Sequence, residues 1–174
     1  MKSFKPVNFL SMKNDIDKTD LEIMKYLSSN AKISYTELAS KILVSASTVH
    51  VRVKKLEDLG IIRNFTINID YKKLGLSFTS YLGVFLDKAQ SFDKVADALK
   101  KIPQITVIDF TTGQFSVFCK VRASDSAATR NVLKNVHSID GIRRTETFIS
   151  MEELLNNKES LIDSIVIEDD IISN

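Results

Sequence analysis

The sequence predicts an α+β chain of two small domains, three short helices followed by a βαββαβ sandwich, and three observations carry that prediction. Before Gly60, apolar residues recur at helical spacing in three stretches. From Ile61 the apolar period drops to two. Beyond Leu76, four strand-like runs are divided by two helical ones in the order of a ferredoxin-like fold. The predicted divisions are an N-terminal arm over 1–14, a helical domain over 15–62, a wing and linker over 63–77, the ferredoxin-like domain over 78–151 and an acidic tail over 152–174.

Met1 to Asn14 has no sustained period and contains Pro6, so it reads as an arm or a short strand. Asp17 is expected to cap the first helix, with Asp20 and Glu22 in the first turn, where the helix dipole favours negative charge. Leu21, Met24 and Leu27 give this helix one apolar face, and Ser28 to Asn30 end it. In the second helix, Ser34 followed by Glu37 has the spacing of a reciprocal capping box, and Leu38, Ala39 and Ile42 face inward. Only Leu43 and Val44 separate it from Ser45, the expected cap of a third helix that runs to about Leu59 on Val49, Val53 and Leu56. Gly60 stops that helix, and Ile61 or Ile62 can supply the apolar contact that accompanies such an ending. Two helices joined by so short a turn form either a helix-turn-helix or part of a generic bundle.

The alternation Ile61, Arg63, Phe65, Ile67, Ile69 predicts a strand, followed by a turn over Asp70 to Gly75. Strands are expected over 78–86, 105–112, 115–121 and 142–151, and helices over 92–101 and 124–136. Two helices cover only one face of such a sheet. Phe110, Phe115, Phe118 and Phe148, among others, make the sheet apolar on both faces, and such a sheet commonly pairs with a copy of itself. The tail has 7 acidic residues against one Lys, yet contains Leu161, Ile162, Ile165, Val166 and Ile167. It reads equally as a helix and short strand that dock on a partner, or as a loose acidic extension.

No run in the 174 residues approaches the ~18 apolar residues of a membrane span, and the N-terminus lacks a signal-peptide core, so a cytoplasmic protein is expected. Cys119 is the only cysteine; its neighbours Val117, Phe118 and Val121 favour a buried position on a strand over a reactive thiol. His50 and His137 are too far apart to suggest a metal site, and no acid, base or nucleophile cluster suggests an enzyme.

Net charge is +2, but residues 1–75 hold 13 Lys and Arg against 8 Asp and Glu, whereas residues 76–174 hold 11 against 14. The basic half suits a polyanion. At about 100° per residue from Val49, the third helix turns Ser47, His50, Val51, Lys54 and Asp58 outward and sets Thr48, Arg52 and Lys55 on its flanks. Compact groups at the helix N-terminus, a methyl carrier and nearby cations are what major-groove reading of double-stranded DNA needs. Ser47, His50 and Val51 are assigned to base edges. Ser45, Thr48, Arg52, Lys54 and Lys55 are assigned to positioning on the backbone, with Arg52 the leading candidate. The plainer reading of each is a solvated helix face, in which Lys55 bridges to Asp58.

These residues resemble the leucine-responsive regulatory protein/AsnC family of transcriptional regulators. The resemblance runs from about Asp15 to Met151. It includes Asp17-Lys-Thr-Asp20, Ile33-Ser-Tyr-Thr-Glu-Leu-Ala39, Ser45-Ala-Ser-Thr-Val49, Arg52-Val53, Leu56-Glu57, Gly60-Ile-Ile62, Thr112-Gly113 and Arg144-Thr-Glu-Thr147. It implies a winged helix-turn-helix joined to a regulatory domain, homodimers assembling to tetramers or octamers, and a small effector, often an amino acid, bound between dimers. By the same resemblance the effector would contact Thr112, Gly113, Gln114, Phe115, Ser116, Thr145 and Thr147. No cofactor is required.

Two positions depart from the family pattern. Leu43 stands where the family usually has Gly in the turn, and Gly113-Gln-Phe-Ser116 stands where it usually reads Gly, two variable residues and Asp. Ser116 offers a hydroxyl where an acid could hold an ammonium. The expected function is sequence-specific transcription control by a homo-oligomer. The alternatives are a less specific nucleoid-architectural protein that wraps DNA and, remotely, a tetrapyrrole decarboxylase-like enzyme, since some such enzymes resemble this two-domain family.

Overall fold

The computed structural model describes residues 15–156, 160–162 and 164–165, so the predicted arm over 1–14 and most of the acidic tail lie outside the described residues. The chain divides into two compact units, one made of the residues up to Asn68 together with those from Leu155 on, and one spanning Ile69–Leu154.

The first unit holds α1 (Lys18–Ser29), α2 (Tyr35–Lys41) and α3 (Ala46–Asp58), all close to their predicted spans. Their apolar faces meet in one core of Ile23, Leu27, Leu38, Ala39, Val49, Val53 and Leu56. Asp17 caps α1 through a reciprocal box with Asp20: the Asp20 amide donates to Asp17 Oδ1 at 3.0 Å and the Asp17 amide to Asp20 Oδ2 at 3.2 Å. The box expected at Ser34 is one-sided. Ser34 Oγ accepts from the Glu37 amide, while the Glu37 carboxylate turns along the helix to Lys41, 3.7 Å away.

Leu43 has φ +57°, the only non-glycine among the described residues in the left-handed region. The Val44 amide donates to the Ala39 carbonyl at 3.0 Å, so Leu43 sits where a helix C-terminus normally places glycine, and its side chain is 91% exposed. At the end of α3, Gly60 (φ +69°) fills the same role, with its amide bonded to the Glu57 carbonyl and that of Ile61 to the Leu56 carbonyl. Ile61 and Ile62 then pack against the first core, as expected.

The strand predicted from Ile61 to Ile69 does not form. A strand exists only by pairing, and among the described residues no strand pairs with this segment; Phe65, Ile67 and Ile69 stay exposed. A 3₁₀ turn at Tyr71–Leu74, capped by Asp70, follows it.

The second unit runs β1 (Phe78–Leu86), α4 (Phe92–Leu99), β2 (Ile105–Phe110), β3 (Val117–Ala123), α5 (Ser126–His137) and β4 (Ile142–Ile149). The antiparallel sheet has the order β2-β3-β1-β4. Leu82, Val84, Val117, Cys119 and Val121 face the helices and enclose a core with Val95, Leu99, Val132 and Val136. Burial pushes the Cys119 thiol up to about 12, consistent with a small buried hydrophobe.

The opposite, open face carries Tyr81, Phe85, Phe118 and Phe148, with Phe115 laid across it. Phe110 lies on the helical side, its ring 4.7 Å from that of Phe92. Its strand partner is Val117, a core residue, so the pairing register fixes its side.

Candidate nucleic-acid interface and effector site

Packing against the first core turns one face of α3 outward. Ser45 Oγ accepts from the Thr48 amide at 3.0 Å and lies 2.7 Å from both Ser47 Oγ and Thr48 Oγ1, which gathers three hydroxyls at the helix N-terminus. Ser47, His50, Val51 and Lys54 are exposed, and Val51 keeps 65% of its surface. The His50 ring stands edge-on to Tyr35 of α2, with centroids 5.9 Å apart, which restrains its direction without covering it. Lys54 makes no ion pair among the described residues.

Arg52 and Lys55 point elsewhere. Arg52 Nη1 pairs with Asp17 Oδ2 and lies 3.2 Å from Asp20 Oδ1, while Lys55 Nζ is 2.8 Å from Asp20 Oδ2. The sequence suggested a bridge from Lys55 to Asp58; the partner is Asp20, on another helix. Asp20 has no exposed surface, and its two oxygens accept from Arg52, Lys55 and the Asp17 amide. A carboxylate so buried needs compensation of this kind. The Arg52 guanidinium holds the Asp17 carboxyl below the ordinary carboxylate range, and the two carboxylates in turn hold the guanidinium more firmly protonated. The cation the sequence ranked first for phosphate is thus engaged within the domain.

The residues expected to hold an effector fall in two places. Thr112, Gly113 and Gln114 are exposed in the β2–β3 turn, and the Ser116 amide donates to the Val84 carbonyl at 3.0 Å. Phe115 folds onto the open face over Gly83, where a Cβ would meet its ring at 2.5 Å. Thr145 and Thr147 pair across the sheet with Val84 and Leu82 and so belong to the helical face. Within one chain the seven are not gathered: the turn before β3 folds Phe115 onto the open face, whereas strand phase sends the two threonines to the helical one.

Thr145 instead lines an open cleft of about 370 Å³ with His137, Ile142, Arg143 and Arg144. Its Oγ1 is 2.7 Å from His137 Nε2. Arg144 Nη2 pairs with Glu146 at 2.7 Å, and its guanidinium lies over the Phe85 ring at 4.0 Å.

Residues 16–63 match the family model described as winged helix-turn-helix DNA-binding, and residues 79–160 match that of the Lrp/AsnC ligand binding domain. The regulatory protein AsnC of Haemophilus influenzae is 36% identical over 140 residues, covering 80% of this chain and 93% of that one. The chain belongs to the Lrp/AsnC family. AsnC of Escherichia coli is also 36% identical, over 138 residues, 79% of this chain and 91% of that protein. Its solved structure superposes with a TM-score of 0.78 at 33% identity, over 82% and 97% of the two chains. A Neisseria meningitidis regulator solved as an L-Met complex shares the fold, with a TM-score of 0.79 at 24% identity over 83% and 95%.

This Lrp/AsnC chain is therefore a DNA-binding transcriptional regulator. Three of its features were not legible from motifs. Asp17 and Asp20 could be read as helix-start acids but not as partners of α3, because that contact joins residues 32 to 35 positions apart. Gly83 makes room for Phe115 through a tertiary approach with no local signal. Arg143 and His137 meet only because β4 returns beside the end of α5.

Proposed function

We propose that this Lrp/AsnC regulator reads duplex DNA with Ser47, His50 and Val51 against base edges, while Ser45, Thr48 and Lys54 fix the helix on the phosphate backbone. The carrying observation is the outward row Ser47, His50, Val51 and Lys54 on a helix whose flanking cations are otherwise engaged. Val51 suits a thymine methyl, and the amides at the start of α3 suit a phosphate. Arg52 and Lys55 act here by holding α3 to α1, a positioning role in place of direct phosphate contact.

The same reading makes the protein a cytoplasmic homo-oligomer that acts by binding alone. The open aromatic face of the sheet supports pairing with a second copy. Among the described residues no helix is long and apolar enough to cross a membrane. An amino acid or related effector tunes DNA affinity through the second unit, supported by the match to a ligand binding domain and by the Neisseria relative's L-Met complex. Such tuning requires the effector to bind two assembly states unequally.

Genome-wide recovery of bound DNA, with and without candidate amino acids, supplies the sites for the test. On a recovered site Val51→Ala should lower affinity about 5- to 100-fold while leaving binding to random DNA unchanged. Lys54→Ala should weaken both and reduce the salt slope by about 0.9. Equal wild-type affinity for recovered and random DNA, with a steep salt slope, would establish the architectural DNA-wrapping role instead.

A further inference from the structure

The cleft beside β4 has a one-sided charge. Arg143 and Arg144 line it, and His137 closes it at the last residue of α5. Glu146 neutralises Arg144, whereas Arg143 makes no ion pair among the described residues; its nearest aromatic companion is Phe85, at 6.0 Å. None of the lining residues is acidic. Helix α5, Ser126–His137, contains no Asp or Glu, and the β2–β3 loop ends on Ser116. The cleft lining therefore offers a guanidinium without an ion pair among the described residues, a hydroxyl oriented by a histidine and no acidic side chain of its own.

A guanidinium recognises a carboxylate by paired, charge-assisted hydrogen bonds, and a second donor beside it fixes the anion's orientation. His137 Nε2 and Thr145 Oγ1, 2.7 Å apart, form a hydrogen-bonded pair that holds the threonine hydroxyl at the cleft wall. An ammonium group would find no unengaged anionic partner among the lining residues, since the neighbouring Glu146 carboxylate is held by Arg144, and its desolvation would go largely uncompensated. We propose that this cleft takes a small carboxylate anion on Arg143 and Thr145 and gains little from an ammonium group, so that 2-oxo acids bind as well as the matching amino acids. The inference rests on the effector role assigned above to the second unit and specifies its ligand chemistry. His137 is a positioning residue, acting through Thr145.

The test uses the full chain and three families of probes: L-leucine, L-methionine and L-alanine; their 2-oxo acids; and their carboxamides, which keep the ammonium but lose the carboxylate. Titration calorimetry should show each 2-oxo acid within about threefold of its amino acid and each carboxamide at least about tenfold weaker. Arg143→Gln should weaken the acids by about tenfold or more, with circular dichroism and oligomeric state unchanged. His137→Ala should weaken them less, with partial rescue by His137→Gln.

Carboxamides binding as well as the acids, 2-oxo acids binding more than tenfold weaker than amino acids, no binding of any probe, or an unaffected Arg143→Gln protein would each overturn the inference. DNA affinity is measured in parallel. If amino acids still shift the DNA affinity of Arg143→Gln as they do that of the wild type, effector control stands and only the cleft assignment fails.

Discussion

Arg52 Nη1 lies 3.2 Å from Oδ1 of Asp20, a carboxylate with no exposed surface, so helix α3 is fastened to α1 by charge as well as by apolar packing. Asp17 and Lys55 complete the cluster. Its geometry sets the rotation of α3 about its own axis and hence the direction in which Ser47, His50 and Val51 project.

Removing one member leaves the others uncompensated. Asp20→Ala should destabilise the N-terminal unit by about 2–4 kcal/mol, and Arg52→Ala by about 1–3 kcal/mol, because Lys55 remains on Asp20 in the latter. Urea unfolding followed by circular dichroism measures both. Loss of DNA affinity by Arg52→Ala with wild-type stability would return this side chain to the phosphate-contact role.

The same contact predicts a pH dependence. Asp17 titrates below its ordinary 3.8 in the folded protein, chiefly through the Arg52 hydrogen bond. The unfolded chain therefore takes up its proton first, and the stabilisation is present above that ordinary value and lost as pH falls through it toward the lower folded value. Stability measured from pH 6 to pH 3 should fall less steeply in Asp17→Asn than in the wild type. Identical slopes would show that Asp17 does not contribute.

Leu43 holds φ +57° with its side chain in solvent. Leu43→Gly should relieve the left-handed strain while giving up no packing, for a net gain of up to about 1 kcal/mol after the greater freedom of glycine in the unfolded chain. The readout is the urea midpoint, and a decrease would mean that Leu43 makes a contact outside this chain or that the turn differs.

Gly83 lies directly under the Phe115 ring. Gly83→Ala should lift Phe115 off Phe85 and Phe118, costing about 1–3 kcal/mol and rearranging the β2–β3 turn. Near-ultraviolet circular dichroism should register the loss of ring order. An unchanged spectrum and stability would mean that the ring is not seated there.

Cys119 is fully buried with its thiol pushed up to about 12. A thiol-directed reagent should leave it unmodified at pH 8 in the native protein and label it once urea unfolds the second unit. Rapid labelling of the folded protein would place it at the surface.

Much of this molecule was determined by sequence alone. Asp17, Ser34 and Ser45 announce their helices because a capping side chain bonds to backbone amides two or three residues away, and Gly60 ends α3 for an equally local reason. The βαββαβ order and the buried row Val117, Cys119, Val121 follow from period alone.

Tertiary structure decided what lies across from each element. Helical phase put Arg52 on a flank, but only the arrival of α1 supplies the carboxylates that turn it inward. Phe110 resembled the other phenylalanines until its pairing with Val117 set it on the helical face, and Thr145 and Thr147 were separated from Phe115 because the turn before β3 lays that ring over Gly83 on the opposite face. Ile61 to Ile69 has the pattern of a strand without becoming one, because periodicity shapes a backbone for pairing and cannot supply the neighbour.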